Sequence, residues 1–385
     1  MHSWSLLPRQ DVPAWLRVAS LAGGIGLGLA LGVVILLASG VGLGAIVQEF
    51  VLYSFTSSQG LAQTVTGAIP LLLVGLASAV SLKLRFWNIG IDGQVWLGAI
   101  AATGVAIADI GPAETRLWLM AAAAALAGAV WIGVPMFLRL RLAVNEVIAT
   151  LMLTYVAFLL VQHLLYGDWR GSGIGFPVSE AFDEEGERLA RLGWGHVHGG
   201  LWLSLAVAVG VAYLMQATRF GFYLTAVGEN PRGALAAGLP VTFTLIVAVL
   251  LAGGLCGLAG FSIVAGQEYR LTQYIAHGYT FSAILVAFLA RFNPLAVIPV
   301  TVAVAGLFTA GDTLKTFYQL PQATILIVES VILFAVVTVD FLARYRIVRR
   351  HGPAAESPAP RSTSSSIGSP PCRATPRRCC SPVSA

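Results

Sequence analysis

The chain has 385 residues, of which 57% are hydrophobic and only 11% charged, and its mean hydropathy is +0.80. A water-soluble domain carries roughly 25% charged residues to cover its surface, so most of this chain must face lipid. The composition excludes nucleic-acid-binding modules, disulfide scaffolds and soluble enzymes. The net charge of +5 therefore has to be interpreted by its position along the chain.

Long apolar runs recur along the chain and predict an all-α polytopic bundle of about ten transmembrane helices. A helix needs about 20 apolar residues to cross roughly 30 Å of hydrocarbon, and continuous rather than alternating runs favour helices over barrel strands. The first span is interpreted as a retained anchor, because its apolar stretch is too long for a cleaved signal peptide. The predicted spans are residues 18–40, 62–82, 93–110, 117–138, 145–166, 200–217, 241–264, 279–292, 294–311 and 323–343.

Asn293 and Pro294 break the eighth predicted span from the ninth, because proline disfavours a continuous helix. These two spans could therefore be a hairpin of half-length helices instead of two full crossings. The sequence leaves both possibilities open.

Basic residues predict the orientation of the bundle. With the N-terminus in the cytoplasm, thirteen Lys and Arg fall in inside loops and six in outside loops, before the C-terminal tail is counted. The positive-inside rule therefore predicts an N-in, C-in topology.

The charge pattern and the spans together define the predicted domains. They are a cytoplasmic N-terminus (1–17), a transmembrane domain (18–345) and a disordered cytoplasmic tail (346–385), whose Pro-, Ser- and Arg-rich sequence has no apolar periodicity. The transmembrane domain includes an extracytoplasmic loop (167–199), with a short surface helix expected near residues 184–192, and a cytoplasmic loop (218–240).

Signatures of catalysis and of metal binding are missing from the sequence. The two lysines, Lys83 and Lys315, do not follow a phosphate-binding glycine loop, and no HExxH, GxSxG or CxxC pattern occurs. His196 and His198 could hold a metal, but no further ligand has a suitable spacing, so a solvated loop is favoured. We expect this chain to have no enzymatic activity, no metal site and no cofactor.

Polar residues lie at the mouth of the third predicted span, in the segment FWNIGIDGQ (86–94). Glycines at positions 90 and 93 permit close backbone approach or a non-helical bend. Asn88, Asp92 and Gln94 could form a capping turn at the cytoplasmic surface. If the segment is re-entrant, they could instead cap exposed helix amides or line a pathway, since polar groups at bilayer depth normally face protein or a watery cavity.

A second polar segment, NEVIATLMLTY (145–155), opens the fifth predicted span. Asn145 and Glu146 occupy the positions of an N-cap and a first-turn acid. Helical spacing aligns Glu146, Thr150 and Thr154 in one polar stripe. Such a stripe more often holds membrane helices together than binds a solute, and both interpretations remain open.

The cytoplasmic loop RFGFYLTAVGENPRGALAAG (219–238) contains a third candidate site. Asn230 before Pro231 is a helix-start signal, and Gly238 followed by Pro240 is a stop signal, so a short Ala-rich helix is predicted between them. Its small side chains and flanking arginines suit docking into a groove of a partner.

These segments resemble the permease subunits of bacterial ABC importers of the branched-chain amino acid, ribose and nucleoside superfamily, over about residues 60 to 345. FWNIGIDGQ resembles the family's FNIGxEGQ, NEVIATLMLTY its NEVIxTLMLNY, and AVGENPRGALAAGLPV its AxGxNPxAAxxxGI loop. GYTFSAILVAFLARFNPLAV resembles the segment GYGFxxIAVALLGxxNPxG. The likeness is greatest to simple sugar and nucleoside permeases, although Asp92 replaces the usual Glu and Thr154 the usual Asn.

The resemblance implies a permease subunit of a bacterial cell membrane importer. Its implied partners are a separate ATP-binding subunit that holds ATP and Mg²⁺, a second identical or homologous permease and an extracytoplasmic solute-binding lipoprotein. The coupling residues that it implies are Arg219, Gly221, Gly228, Glu229, Asn230, Pro231, Arg232, Ala234, Ala237 and Gly238. The candidate pathway residues are Asn88, Asp92, Gln94, Asn145, Glu146, Thr150, Thr154 and Tyr155.

A nucleoside or simple sugar is the solute that the resemblance implies, with a branched-chain amino acid as an alternative. An ion-coupled secondary transporter is a rival of another class, which would need ionisable residues within the spans. Asp92 and Glu329 are the candidates for such a role, and Glu329 could equally pair with Lys315 at the outer interface. A membrane-embedded enzyme would need a cluster of titratable groups at one depth, which the sequence does not indicate.

Overall fold

The computed structural model describes residues 3–8, 14–53, 56–171, 175–276 and 278–350. These residues belong to two units, Met1–Asp11 with Arg344–Ala385 and Val12–Ala343. Residues 351–385, with most of the expected disordered tail and three of the cysteines, lie outside the described residues.

The secondary-structure elements are, in chain order, β1 (Ser3–Pro8), α1 (Ala14–Ala38), α2 (Leu43–Ala45) with a π-helix (Ile46–Tyr53), α3 (Ser58–Lys83), α4 (Ile91–Ile107), α5 (Ala113–Leu142), α6 (Glu146–Tyr166), α7 (Gly200–Ala217), α8 (Arg219–Glu229), α9 (Pro231–Ala236), α10 (Val241–Ile263) with a π-helix (Val264–Glu268), α11 (Tyr279–Leu289), α12 (Pro294–Tyr318), α13 (Gln322–Arg344) and β2 (Tyr345–Arg350).

The smaller unit is a two-stranded antiparallel sheet. Strand β1 pairs with β2 in a register that places Ser3 opposite Arg350 and Pro8 opposite Tyr345. The prediction of disorder from residue 346 is therefore wrong for residues 346–350. Ile347 and Val348 favour a strand, and the partner strand supplies the backbone hydrogen bonds that a single segment lacks.

The larger unit is helical, which confirms the predicted all-α membrane fold. Each of the ten predicted spans corresponds to a helix. Seven of the described helices are long and apolar enough to cross a membrane, and three shorter apolar ones are Ala22–Ala38, Ile91–Ile107 and Tyr279–Leu289. In the described part of this unit the only β-pairing consists of two isolated bridges, Val178 with Thr272 and Arg191 with His198.

The eighth and ninth predicted spans differ in length. Helix α11 has 11 residues and α12 has 25. At 1.5 Å per residue α11 is about 17 Å long, roughly half the thickness of a bilayer core. The half-length alternative therefore holds for α11 and not for α12, whose start is set by Pro294 and by Asn293, which accepts a hydrogen bond from the Leu295 N–H.

Helix α1, which contains the predicted anchor, packs against α13. Methyl groups added to Gly24 and Gly28 would lie 2.8 Å from the Cα atoms of Val336 and Ile332. The two backbones therefore approach closely, as small residues allow in membrane helices. The apolar end of α1 completes a hydrophobic cluster with α12 and α13 that includes Leu36, Leu314 and Val328.

Glycines also bring α4, α5 and α10 into close contact. A Cβ added at Gly257 of α10 would lie 2.0 Å from the Ala124 carbonyl oxygen of α5, and one at Gly260 would lie 2.1 Å from that of Val95 in α4. Gly98 and Gly128 meet the same side of α10. Because no larger residue fits at these crossings, the three helices form a tightly packed group, and α3 is buried beside it along most of its length.

Candidate translocation and coupling sites

Two helices begin inside the bundle after non-helical segments. Residues 84–90 precede α4, and residues 269–276 and 278 precede α11. Phe86 in the first segment is fully buried and packs against Ile132 and Met136 of α5 and Val249 of α10. The segment after Lys83 therefore packs into the bundle at Phe86 and Asn88, which leaves its re-entrant interpretation a prediction.

The N-termini of α4 and α11 cap each other. Both helices have a glycine at the N-cap, Gly90 and Gly278, and neither glycine can supply a capping side chain. Instead, the Thr280 hydroxyl accepts a hydrogen bond from the Asp92 N–H at 3.1 Å, and Asp92 Oδ1 accepts one from the Thr280 N–H at 3.0 Å. Each second helical residue thus satisfies an amide of the other helix, and we call this contact the half-helix junction.

The side chain of Asp92 suits its place in the junction. The N-terminus of a helix carries about half a positive charge, and two such ends meet here. The Asp92 carboxyl group lies between them and accepts a hydrogen bond from the Thr280 N–H. This geometry gives a polar side chain and two helix ends their hydrogen-bond partners within the bundle.

Asn88 and Gln94 bind each other rather than an open path. Their side-chain amides exchange two hydrogen bonds of 3.1 and 2.9 Å, and both side chains are buried. Asn88 Oδ1 also accepts from the Gly90 N–H. The pair therefore fastens residues 84–90 to the start of α4.

The polar stripe of α6 faces that same segment. Thr150 is buried and its hydroxyl accepts a hydrogen bond from the Ile89 N–H, while a Cβ added at Gly93 would lie 2.9 Å from the Thr154 Cα. Glu146 pairs with Arg139 of α5 at 3.1 Å. The stripe holds α6 against α4 and α5, which agrees with the helix-packing interpretation of the sequence.

The remaining predicted pathway residues point elsewhere. Asn145 caps α6 by accepting from the Val147 N–H at 2.9 Å, and Tyr155 is 59% exposed on the surface of the isolated chain. The structure thus brings together Asn88, Gln94, Thr150 and Thr154 around the start of α4, with Asp92 beside them. It does not bring Asn145 or Tyr155 into this group.

Thr280 belongs to the junction and was not among the candidate residues from the sequence. A signal for it exists, because α4 and α11 each follow a glycine and begin with an apolar residue and then a polar one. The two triplets are Gly90-Ile91-Asp92 and Gly278-Tyr279-Thr280. Only their position after a non-helical segment shows that each polar residue needs a partner from another helix.

The predicted short helix in the cytoplasmic loop is present as α9. Asn230 accepts a hydrogen bond from the Gly233 N–H at 3.0 Å, and Pro231 occupies the first helical position. Helix α8 precedes it and was not predicted. Its buried Gly228 lies against the end of α3, since an added Cβ would be 2.0 Å from the Lys83 carbonyl oxygen.

The exposed side of α8 and α9 carries Phe222 and Leu235, which are 65% and 68% exposed. Seven of the predicted coupling residues are also exposed, whereas Gly221, Gly228 and Ala234 are buried. Ala234 therefore packs inward and is not part of a docking surface. The exposed members are Arg219, Glu229, Asn230, Pro231, Arg232, Ala237 and, past the turn, Gly238 at φ +74°.

The outer loop has no helix near residues 184–192, so that prediction is wrong. Gly186 has a left-handed φ of +88°, which ends the turn before it. The backbone that follows pairs with other elements, as Leu189 donates to the Ala265 carbonyl and Arg191 bridges His198. Glu187 is buried and accepts from Arg116 Nη1 at 2.7 Å and from the Asp183 N–H.

His198 is a fully buried part of this loop, and not the solvated residue that the sequence suggested. Its ring lies against Gly266, where an added Cβ would be 2.3 Å from Cε1, and its Nδ1 accepts from the Gly200 N–H at 3.2 Å. Burial lowers the pKa of His198 to about 4, so the ring is neutral at pH 7. Among the described residues no group of three or more His, Cys, Asp or Glu could hold a metal ion.

Comparison with known proteins identifies the family. Residues 60–337 match the model of the family described as the branched-chain amino acid transport system permease component. The chain belongs to this family of ABC transporter permeases. It is 35% identical to a glucose ABC transporter permease protein of Haloferax volcanii, with 88% of this chain and 92% of that protein aligned.

Two bacterial proteins are also similar over most of this permease. The identity is 28% to a guanosine ABC transporter permease protein of Bacillus subtilis, covering 80% of this chain and 90% of that protein. It is 26% to a nucleoside ABC transporter permease protein of Lactococcus lactis, covering 80% and 87%. These matches confirm the resemblance seen in the sequence motifs, and a permease of this family is a multi-pass membrane protein.

Proposed function

We propose that this permease is the subunit of an ATP-driven ABC importer that carries a nucleoside or a simple sugar. The observation that supports the solute most directly is the similarity, over 80% or more of the chain, to permeases for glucose, guanosine and nucleosides. The family description names branched-chain amino acids, which therefore remain the competing solute class.

We propose ten transmembrane segments with both termini in the cytoplasm of a bacterial cell. Helices α4, of 17 residues, and α11, of 11 residues, enter from opposite sides of the membrane and meet at the half-helix junction. The basic residues of the inside loops and the position of α8 against the end of α3 support this orientation.

In the proposed cycle two permease subunits enclose a path, and two separate ATPases bind ATP and Mg²⁺ in the cytoplasm. A solute-binding lipoprotein delivers the solute on the outer face. ATP binding shifts the equilibrium between the outward-open and inward-open states of the permease. The size of this shift equals the difference in binding free energy of the ATP-bound ATPases for the two states. Helices α8 and α9 transmit that difference, because their exposed Phe222 and Leu235 offer apolar anchors.

We retain the polar residues around the start of α4 and α6 as the proposed wall of the path, with Asp92, Thr150 and Thr154 nearest the junction. Asn88 and Gln94 would then stabilise the wall from behind through their mutual hydrogen bonds. Asn145, Glu146 and Tyr155 are proposed to act at its cytoplasmic end and outer surface.

Uptake measurements test the solute class. A strain that lacks this permease should lose uptake of radiolabelled uridine, adenosine or glucose and regain it when the gene is restored. Loss of leucine uptake alone would replace the proposal by the amino acid alternative. Unchanged uptake of all four solutes would reject both.

Crosslinking tests the coupling surface. Cysteines introduced at Leu235 and Ala237, both exposed, should form disulfides with cysteines in the groove of a co-expressed ATP-binding subunit. Cysteine at the buried Ala234 is the matched control and should not react. Absence of crosslinks at Leu235 and Ala237 in an actively transporting complex would contradict the proposed role.

A further inference from the structure

A cleft of about 430 Å³ opens on the outer side between two segments of the permease. One wall consists of Phe176, Pro177 and Val178, and the other of Glu268 and residues 272–275. This volume lies within the range of roughly 300–1,000 Å³ that is typical of small-molecule sites.

Backbone contacts hold the two walls in place. Val178 pairs with Thr272 in an antiparallel bridge, and the Ser179 N–H donates to the Leu271 carbonyl at 3.0 Å. The Ser179 hydroxyl accepts from the Leu271 N–H at 2.8 Å in return. Since Ser179 and Leu271 are fully buried, the cleft is formed before any ligand arrives.

The lining of the cleft combines aromatic rings with hydrogen-bonding groups. Phe176 and Tyr274 are 76% and 72% exposed, and exposed aromatic rings can stack against the apolar face of a sugar or a base. Thr272 and Gln273 add a hydroxyl and an amide. Such a combination suits a solute with one flat apolar face and several hydroxyl groups.

The charge of the cleft narrows the class of solute further. Glu268 is the only charged residue among those that line it, it is exposed, and it forms no ion pair with any described residue. A free carboxylate accepts charge-assisted hydrogen bonds from hydroxyl groups and repels another carboxylate. A neutral polyhydroxylated solute is therefore favoured over an amino acid.

The cleft also lies at one end of a continuous structural element. Its second wall is the segment that leaves the π-helix Val264–Glu268 at the outer side and leads to Thr280 at the half-helix junction. Leu271 and Ile275 of this segment are buried in the bundle. A solute in the cleft would thus contact the same segment whose inner end is fastened to Asp92.

We propose that this cleft is an outer receiving site for the hydroxyl-bearing ring of a neutral sugar or nucleoside, in which Glu268 binds hydroxyl groups and Tyr274 and Phe176 stack on the ring. The proposal rests on the proposed importer function. It assigns a substrate contact to the permease itself, at the point where a solute released by the receptor first meets it.

The test uses the complete importer in proteoliposomes, with ATP inside and receptor outside. Uptake of tritiated uridine, ¹⁴C-glucose and ¹⁴C-leucine is measured against solute concentration, and the affinity of the solute-loaded receptor for the permease is measured separately. We expect Glu268→Gln and Tyr274→Ala to raise the KM for the transported solute about tenfold, the effect of losing one charge-assisted hydrogen bond or one stacking contact, with a smaller change in kcat. Glu268→Lys should have a larger effect.

Glu185→Gln is the matched control, because Glu185 is an exposed carboxylate of the outer loop that does not line the cleft. It should leave KM unchanged. Equal KM values for the wild type, Glu268→Gln and Tyr274→Ala would overturn the proposal. A loss of receptor affinity that accounts for the whole rise in KM would also overturn it, because the cleft would then be a receptor-docking surface. If the wild-type importer carries only leucine, or none of the three solutes, the proposed function itself fails.

Discussion

Asp92 and Thr280 show how single residues compensate for helix ends inside the membrane. The four first N–H groups of a helix have no partner within it, and the bilayer core has no water to supply one. Glycine N-caps allow the close approach of α6 at Gly90 but leave those amides without a cap. The reciprocal pair restores two hydrogen bonds across 188 positions of sequence.

The junction predicts a residue-swap result. Asp92→Ala and Thr280→Ala should each reduce transport strongly, since each leaves a buried amide without its acceptor, at about 1–3 kcal/mol. Because the contact is reciprocal, Asp92→Thr combined with Thr280→Asp should recover much of the loss caused by either change alone. Uptake and detergent-solubilised thermal stability measure the coupling, and a double variant no better than the sum of its single changes would argue against mutual capping.

His198 predicts a pH dependence of stability. Its pKa in the folded protein is about 4, below the ordinary value of 6.5, so the unfolded chain binds more protons between these values. This contribution is fully present above pH 6.5 and is lost as the pH falls toward 4, by up to roughly 3 kcal/mol. The variant His198→Asn keeps an acceptor for the Gly200 N–H but does not titrate. Its thermal unfolding midpoint should therefore fall less than that of the wild type between pH 7 and pH 4.5. Equal decreases of the midpoint in the two proteins would contradict the assignment of this pH dependence to His198.

At the scale of elements, glycine contacts decide how the helices pack. The crossings of α10 with α4 and α5 leave no space for a methyl group at Gly257, where it would meet a carbonyl oxygen at 2.0 Å. Helix association in lipid depends on this close packing, because lipid is as apolar as the helices themselves. Helix α11, in contrast, is held at its start by hydrogen bonds to α4 and packs along α3.

These contacts predict opposite effects for two glycine substitutions. Gly257→Ala should destabilise the permease by about 1–3 kcal/mol through overpacking and should lower the yield of folded protein. Gly210→Ala in α7, where nothing lies within 4 Å of the added methyl group, should be neutral or slightly stabilising, since alanine favours helices. Thermal unfolding in detergent compares them, and equal midpoints for the two variants would contradict the packing argument.

At the scale of the whole molecule, the distribution of charge bears on the energy source. Asp92, one of the two ionisable candidates within the spans, is hydrogen-bonded to Thr280 in the half-helix junction. The side chain of Glu329 lies outside what the structure describes. Membership of the ABC permease family implies an ATP-binding subunit as a partner, which would supply the energy.

The importer is therefore expected to be independent of ion gradients. Uptake into proteoliposomes that contain ATP should not change when a protonophore or a sodium ionophore collapses the gradients, and it should stop when ATP is replaced by a non-hydrolysable analogue. The control is the same vesicle without receptor. Loss of uptake on collapse of the membrane potential at constant ATP would favour a secondary transporter.

Local signals in the sequence were sufficient for several elements. Asn145 and Asn230 cap helices where the pattern indicates, because a cap depends on a few adjacent residues. Helix α8 was missed because its apolar residues form only a narrow buried face. The helix expected near residues 184–192 does not form, because backbone pairing with distant residues such as Ala265 replaces helical hydrogen bonds.

The sequence by itself determined that this protein lies in a membrane, that it is helical and that it belongs with ABC permeases, because hydropathy and short motifs are local properties of the chain. Only the tertiary structure decided which polar residues work together. It separated Asn145 and Tyr155 from the group around Asp92, turned Ala234 inward, and joined Asp92 to Thr280. The hydrogen bonds between the starts of α4 and α11 depend on how the bundle brings these two ends together, and no spacing along the chain records that distance.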